Sequence, residues 1–235
     1  MNKAEPKEKR KVAIFDIDGT IFRSSLLIEL TNELIQEKIF PKTVHDAYEQ
    51  AYKKWHERDG SYEDYIKAVV DAFTSHIRGV KHTDYLRIIK RVIEFNRNRV
   101  YRFTRDLLRQ LKAANYYLLA ISHSPKEIVD EFAKTLGFDK TYGWVYEVKE
   151  DGKFTGRTMY DDLISDKAKV LKRFLEKEAL GLEDSVAVGD SEGDIPLLEI
   201  VKNPICFNPN QKLYTAAKKN GWRVVVERKD VIYDL

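Results

Sequence analysis

Two pairs of aspartates stand at the ends of apolar segments that lie far apart in the sequence. The stretch VAIFDIDGTIF contains Asp16 and Asp18, and the stretch SVAVGDSEGD contains Asp190 and Asp194. Ligands of an open parallel sheet bind outside the carboxyl ends of its strands. If both apolar segments are neighbouring strands of such a sheet, up to four carboxylates meet in one crevice.

Carboxylates crowded in a crevice repel one another strongly unless a cation offsets their charge. An all-oxygen set of ligands suits Mg²⁺, and the sequence contains no cluster of cysteines and histidines that would favour zinc. Such a set with Mg²⁺ is typical of phosphoryl chemistry, because the metal neutralises charge on the phosphate and on an attacking carboxylate. Each acidic stretch alone could simply cap a helix or stabilise a turn. Two such stretches, each after an apolar run, favour the metal site.

Short apolar runs without alternation are typical of strands buried on both faces of a sheet. They predict strands at residues 12–17, 116–122, 185–190, 204–207 and 222–227. Amphipathic segments between them predict helices near 104–114, 125–136, 166–178, 194–201 and 210–220, with C-caps at Gly137, Gly181 and Gly221. This alternation predicts an α/β fold, a Rossmann-like doubly wound parallel sheet with helices on both faces.

The segment between the first two predicted strands breaks this alternation. Apolar residues at helical spacing predict four helices in it, at residues 26–35, 42–58, 61–77 and 85–93. Because a crossover connection needs only short loops, the segment is predicted to be a separate helical domain. The predicted division is a core of residues 1–23 and 101–235 with an inserted α-helical domain of residues 24–100. A later stretch, WVYEVKEDGKFTGRTM, alternates around Asp151-Gly152 and predicts a β-hairpin.

Composition limits the classes to which the protein can belong. Its 235 residues are 43% apolar, which supports a hydrophobic core, and no stretch reaches the roughly 20 apolar residues of a membrane helix. The net charge of +3 is contained in residues 1–11, so we expect a basic, disordered tail and no nucleic-acid-binding face. With the single cysteine Cys206 and no apolar leader, a cytoplasmic location without a membrane partner is expected.

Four short motifs resemble, in the same order, those of the haloacid dehalogenase-like phosphatase superfamily. DIDGT is similar to the first motif, Ser122 after LLAI to the second, Lys167 in SDKAKVL to the third and GDSEGD to the fourth. The resemblance extends over essentially the whole chain. The helical insertion and the hairpin resemble the phosphoserine-phosphatase-like branch in particular, and imply a cap that closes over the site and sets specificity.

The resemblance implies a Mg²⁺-dependent phosphomonoester hydrolase with a role for each matching residue. Asp16 is the nucleophile and forms an aspartyl-phosphate. Asp18 protonates the leaving alcohol and later activates water, and its backbone carbonyl also faces the metal. Asp190 binds Mg²⁺, and Asp194 binds it directly or holds its waters and orients Lys167.

Further matching residues are implied to hold the phosphate. Ser122 donates a hydrogen bond to it, Lys167 supplies a positive charge, Gly19 lets the backbone approach closely, and Thr20 supports the loop. Ser122 could instead be a helix N-cap, because SHSPKEIV is typical of a helix start. Lys169 competes with Lys167 for the third motif. Lys167 is favoured because apolar residues three, four and seven positions later share its side of the helix.

The resemblance implies a small phosphomonoester as substrate, and two positions of this sequence do not support phosphoserine itself. Phosphoserine phosphatases typically carry a glutamate nine positions after the nucleophile and an asparagine before the last aspartate, and this sequence has Ser25 and Gly193 there. Arg23 is expected near the leaving group, where it would favour a second anionic or polar group, and an exposed arginine without a substrate role is an equal alternative. His123 is a further candidate substrate contact, although a structural role is favoured.

The insertion also carries six aromatic residues whose role is open. Helix packing is favoured over a substrate cage for Tyr48, Tyr52, Trp55, Tyr62, Tyr65 and Phe73.

Three other functions are compatible with parts of this pattern. A haloacid dehalogenase needs no Mg²⁺ and normally lacks an aspartate at the position of Asp18, and an ion-pumping ATPase needs membrane helices. A phosphotransferase or mutase that uses the same aspartyl-phosphate stays open, because only water access separates it from a hydrolase. A non-catalytic phospho-ligand-binding protein is disfavoured by the intact Asp16, Asp18, Lys167 and Asp190.

Overall fold

The computed structural model describes residues 10–235. Its strands are β1 (Val12–Phe15), β2 (Tyr117–Pro125), β3 (Lys140–Val148), β4 (Phe154–Met159), β5 (Val186–Gly189), β6 (Asn203–Phe207), β7 (Arg223–Arg228) and β8 (Val231–Asp234). Within the described residues they form one sheet in the order β4-β3-β2-β1-β5-β6-β7-β8. Neighbours from β3 to β7 pair in parallel, and the edge strands β4 and β8 pair antiparallel.

The helices lie between these strands and in one long insertion. They are α1 (Leu26–Gln36), α2 (Thr43–His56), α3 (Tyr62–Ile77), α4 (His82–Asn96), α5 (Arg102–Ala113), α6 (Lys126–Leu136), α7 (Asp161–Ile164), α8 (Lys167–Glu178), α9 (Ile195–Leu198) and α10 (Gln211–Asn220). A short 3-10 helix, Glu192–Asp194, precedes α9. Helices α1 to α4, the cap helices below, follow β1 directly and are inserted before α5.

Both faces of the central strand are covered by helices. Ala13 and Phe15 of β1 belong to a buried core shared with α5, α6 and the cap helices. Val12 and Ile14 point to the opposite face and belong to a core shared with α8, α9 and α10. Burial on both faces explains why this strand reads as an uninterrupted apolar run.

The strand order reverses beside β1. The chain moves outward from β1 through β2 to β3, and then returns to place β5 on the other side of β1. Such a topological switch point opens a crevice at the carboxyl ends of the two strands, where open α/β sheets bind their ligands. The candidate residues that follow β1 and β5 therefore lie at the position where this fold forms sites.

The predicted α/β fold with a doubly wound sheet and an inserted helical cap is confirmed, and the predicted hairpin is formed by β3 and β4. Three details of the prediction are wrong. Gly181 is not a C-cap, because α8 ends at Glu178 and its C-cap is Ala179, which is left-handed with φ 51°. The helix predicted over 194–201 is a 3-10 turn followed by α9, which ends at Leu198. Strand β8 was not predicted, because its four residues are exposed and carry no buried apolar face.

The basic N-terminal segment is only partly described. Residues 1–9 of the predicted tail lie outside the described residues. Arg10 contacts Asp139 at 3.0 Å and Lys11 contacts Asp184 at 2.7 Å, so these two residues are paired with the core, contrary to the expectation for the tail. Among residues 10–235, no helix has the length and apolar character that crossing a membrane demands.

The cap helices are joined to the core hairpin by backbone hydrogen bonds. Gly79 N donates to Phe154 O at 2.9 Å, and Phe154 N donates to Val80 O at 3.0 Å. The Phe154 ring packs edge-on against Tyr85 of α4, with ring centroids 4.9 Å apart. The hairpin thereby fixes one side of the cap.

We expect Phe154→Ala to lower the free energy of unfolding by about 3–5 kcal/mol, because the side chain is 2% exposed and its loss leaves a cavity between cap and hairpin. Phe95→Ala is the matched control; its ring is 76% exposed, and a change within about 0.5 kcal/mol is expected. Urea unfolding followed by circular dichroism measures both. Equal stability of the two variants would contradict the assigned packing.

Candidate active site

The sequence-predicted site residues come together at the ends of three adjacent strands. Asp16 follows β1, Ser122 lies in β2 and Asp190 follows β5, and these strands are neighbours in the sheet. Lys167 is the first residue of α8, and Asp194 ends the 3-10 helix. The crevice inferred from the sequence is thus present, with both acidic stretches facing it.

Lys167 holds two of the carboxylates together. Its Nζ donates to Asp16 Oδ1 and to Asp194 Oδ1, at 2.6 Å in each case, and its side chain is 3% exposed. The Asp166 side chain caps α8 by accepting from the backbone N of Ala168 and of Lys169, and so fixes the first turn, which carries Lys167. Lys169 is exposed, so Lys167 is the lysine that reaches the crevice.

Asp194 is fully buried beneath the loop that carries Asp190. Its Oδ2 accepts from the backbone N of Asp190 at 3.0 Å and of Ser191 at 3.1 Å. A Cβ at Gly189 would collide with the Asp194 side chain, so only glycine lets β5 end this close to it. Asp194 therefore positions both Lys167 and the loop of the fourth motif.

Asp18 is held by hydrogen bonds on the opposite side of the crevice. Its Oδ2 accepts from Ser122 Oγ at 2.6 Å and Ser124 Oγ at 2.9 Å. Its Oδ1 accepts from the backbone N of Leu26, at the start of α1, at 2.5 Å. Ser122 is not a helix N-cap, because α6 begins at Lys126. Sequence reasoning missed Ser124, although the Ser-x-Ser spacing at the end of β2 puts both hydroxyls on the same side of that strand.

Burial perturbs the charges of this cluster. Burial raises the pKa of Asp16 to about 7, with the charge of Asp194 adding to the effect and Lys167 opposing it. Burial and the charges of Asp16 and Asp194 raise the pKa of Asp190 well above its ordinary range. Burial disfavours the charged form of Lys167, but the two carboxylates outweigh it and raise its pKa. The protein alone thus lacks enough positive charge for its carboxylates.

The donor set fits a hard divalent cation. Asp16, Asp190 and Asp194 each offer a carboxylate oxygen, and these atoms lie within 4.8 Å of one another. Lys167 donates to Asp16 and Asp194, while the Asp190 carboxylate accepts, among the described residues 10–235, only a long hydrogen bond of 3.4 Å from Thr20 Oγ1. All the donors are oxygens, which suits Mg²⁺ and similar ions. The carboxylate of Asp18 lies outside this trio and contacts the serines instead.

Gly19 lets the two acidic stretches approach each other closely. It adopts a left-handed conformation with φ +78°, and a Cβ would overlap Asp190 Oδ2. The backbone hydrogen bonds of this turn run from Gly19 N to Phe22 O and Ser24 O. A side chain at this position would separate Asp190 from the β1 loop, which is the physical reason for glycine in the first motif.

A cavity of about 680 Å³ opens next to Gly19 and Asp190, between the core and the cap helices. Five aromatic side chains of α2 and α3 line it: Tyr48, Tyr52, Trp55, Tyr62 and Tyr65. The sequence favoured helix packing for these rings, and the structure adds a cavity-facing role for them. Phe73 differs, because it packs inside the cap against Phe40 at 5.8 Å. Helical periodicity does not separate these cases, since both kinds of ring face inward.

The two candidate substrate contacts lie in different places. Arg23 is exposed, lines the cavity and has its guanidinium 5.6 Å from the centre of the Tyr101 ring. His123 is not among the residues that line the cavity. Loss of hydration near the crevice and then the charge of Lys167 lower its pKa below the ordinary range of histidine, although the side chain is partly exposed. Ser25 is 2% exposed and its side chain does not cap α1.

We expect Lys167→Met to lower the free energy of unfolding by about 3–5 kcal/mol at neutral pH, because buried carboxylates lose the ammonium they share. Lys169→Met, two positions away and exposed, is the matched control and should change stability by no more than about 0.5 kcal/mol. Urea unfolding in chelator-treated buffer measures both variants. Equal stability would show that the Lys167 bridge does not hold the site together.

Comparisons with known proteins agree with this geometry. The family model described as haloacid dehalogenase-like hydrolase matches residues 13–199. A Mycobacterium tuberculosis protein described as a phosphoserine phosphatase is 25% identical over 225 residues, covering 93% of this chain and 71% of that protein. A Neisseria meningitidis protein described as a histidinol-phosphatase is 23% identical, covering 92% of this chain and 98% of that protein.

Solved structures share the fold. A phosphoserine phosphatase determined as a phospho-aspartyl intermediate analogue has a TM-score of 0.64 at 22% identity, covering 95% of this chain and 96% of that one. A Bordetella pertussis protein of unknown function has a TM-score of 0.73 at 20% identity, covering 92% of this chain and 98% of that one. The resemblance drawn from the four motifs is confirmed. The chain belongs to the haloacid dehalogenase-like hydrolase family, and within that family it is a phosphatase.

Proposed function

We propose that the protein is a Mg²⁺-dependent phosphomonoester hydrolase that acts on a small phosphorylated metabolite through an aspartyl-phosphate on Asp16, with residues 24–100 as its cap. The observation that carries this proposal is the arrangement of the buried Asp16 and Lys167 with the half-buried Asp190 at the switch point of the sheet. It combines a nucleophile, a fixed positive charge and an oxygen donor set beside a cavity large enough for a metabolite.

In the first step Asp16 attacks the phosphorus atom. Lys167 binds Asp16 Oδ1 and leaves the second carboxylate oxygen as the nucleophile. Lys167 also offsets charge on the phosphate, and Gly19 admits the phosphate close to the backbone. When bound, Mg²⁺ would be held by Asp16, Asp190 and the backbone carbonyl of Asp18, with Asp194 as a direct or water-mediated ligand, and would neutralise phosphate and carboxylate charge.

Proton transfer is assigned to Asp18. We infer that it protonates the oxygen of the leaving alcohol, and then takes a proton from the water that hydrolyses the aspartyl-phosphate. The hydroxyls of Ser122 and Ser124 hold Asp18 in place at 2.6 and 2.9 Å. A bound phosphate would compete for the Ser122 hydroxyl, so Ser122 is proposed to turn from Asp18 to a phosphate oxygen. Thr20 supports the loop through its hydrogen bond to Asp190.

The substrate is proposed to differ from phosphoserine. The relatives and solved structures include phosphoserine phosphatases, and one relative is described as a histidinol-phosphatase. The glutamate that resemblance places nine residues after the nucleophile is Ser25 here, and Ser25 offers no charge to an ammonium group. Arg23, at the cavity wall, is the proposed contact for a polar or anionic part of the substrate.

Phosphate release from a panel of phosphomonoesters tests the proposal. We expect turnover with Mg²⁺, none after chelation, and a loss in kcat/KM of at least about a thousandfold in Asp16→Asn, because the nucleophile is removed. Asp71→Asn, an exposed aspartate of α3, is the matched control and should keep full activity.

Full turnover by Asp16→Asn would contradict the assigned nucleophile. Transfer of the phosphoryl group to an added alcohol, with no release to water, would identify a phosphotransferase instead. Binding of phosphate with no turnover in any assay would identify a non-catalytic binding protein.

A further inference from the structure

Two layers of aromatic rings form the cap side of the cavity. Tyr48 and Tyr65 are the back layer, 2% and 5% exposed, and helix packing accounts for them. Tyr52, Trp55 and Tyr62 are the front layer, called the aromatic wall below. Trp55 stacks on Tyr65 with centroids 5.5 Å apart and an interplanar angle of 15°.

The aromatic wall is more exposed than packing within the cap requires. Tyr52 is 37% exposed and Tyr62 is 38% exposed, and both line the cavity. Each lies within 6.1 Å of Trp55, measured between ring centroids. Contiguous aromatic surface left open in a concave site is typical of a surface that a ligand covers. Rings of this kind provide offset-stacked and edge-on contacts for a ligand ring.

The aromatic wall reaches from the cap to the reacting centre. Tyr62 lines the same cavity as Gly19 and Asp190, so its ring lies on the side of the wall next to the catalytic loops. The neighbouring Glu63 contacts Lys212 of α10 at 2.9 Å, and Lys212 also contacts Glu192 at 2.7 Å. These ion pairs hold the start of α3 next to the loop that carries Asp190. An alcohol group attached to a phosphate in the crevice would therefore extend along the wall.

The charges of the cavity select among the ligands that aromatic rings attract. Apart from Asp190, its permanently charged side chains are Arg23, Glu29 and Arg99. Arg99 Nη1 pairs with Glu29 Oε1 at 2.8 Å, whereas Arg23 has no carboxylate partner among residues 10–235. The part of the cavity away from Asp190, where the alcohol of the substrate would lie, thus carries the net positive charge of Arg23. An organic cation would gain contact with the rings but would meet the charge of Arg23 without a free carboxylate to offset it.

We propose that the site is selective for phosphomonoesters whose alcohol carries an aromatic or heteroaromatic ring and no net positive charge, with the ring packed on Tyr52, Trp55 and Tyr62. This inference rests on the proposed function and adds the class of leaving group to it. A cavity of about 680 Å³ is also larger than a short aliphatic alcohol needs.

The test compares benzyl phosphate with cyclohexylmethyl phosphate, which match in charge and nearly in size but differ in aromaticity. We expect wild type with Mg²⁺ to favour benzyl phosphate by about fivefold in kcat/KM, because ring pairs gain contact beyond buried area. Phosphocholine, the cationic probe, should be the poorest of the three. Tyr52→Leu should reduce the benzyl preference, mainly through a higher KM for benzyl phosphate.

Tyr214→Leu is the matched control, since Tyr214 is also 37% exposed but lies on α10 outside the cavity. Its benzyl preference should equal that of wild type. Titration of tryptophan fluorescence with benzylphosphonate and cyclohexylmethylphosphonate gives a second, binding-only readout, with tighter binding of the benzyl compound expected.

Normal turnover of all esters without a benzyl preference would overturn the inference and leave the proposed function intact. A preference for phosphocholine would overturn it too. If no ester releases phosphate, the proposed function fails, and equal binding of the two phosphonates would then overturn the ring inference separately.

Discussion

The buried bridge from Asp16 through Lys167 to Asp194 is the contact on which the rest of the site depends. Three elements distant in sequence supply it: the end of β1, the start of α8 and the 3-10 helix after β5. A lysine and two carboxylates removed from water are costly separately, so each is retained only with its partners in place. The single ammonium of Lys167 does not balance the three carboxylates of Asp16, Asp190 and Asp194. A divalent cation bound among them would supply the missing positive charge.

The fold brings these carboxylates together at one place in the sheet. The reversal of strand order beside β1 puts three strand ends at one crevice, and helices cover both faces of the sheet that carries it. The cap is attached on one side through the hairpin and on the other through the ion pairs of Lys212. Because the cap helices form much of the wall opposite the carboxylates, we propose that they contribute to substrate choice together with Arg23 of the core.

Much of the site could be predicted because its residues sit at strand ends and helix starts, which sequence patterns mark. Asp16 and Asp190 follow apolar runs, and the apolar residues after Lys167 identify its buried side. The hydrogen bond from Ser124 to Asp18 was missed because it depends on how far β2 extends beside the loop after β1, which the sequence pattern does not show. A cavity-facing role of Tyr52 and Tyr62 was considered but not favoured, since apolar periodicity marks an inward face without distinguishing packed core from cavity wall.

If Asp16, held by Lys167, accepts the phosphoryl group, the intermediate can be located directly. Peptide mapping by mass spectrometry of enzyme quenched in acid during turnover does so, with Asp18→Asn used to slow hydrolysis of the intermediate. We expect the phosphoryl group on the peptide that contains Asp16. A phosphoryl group on Ser122, or an unmodified enzyme that has nevertheless passed through a burst of product, would contradict it.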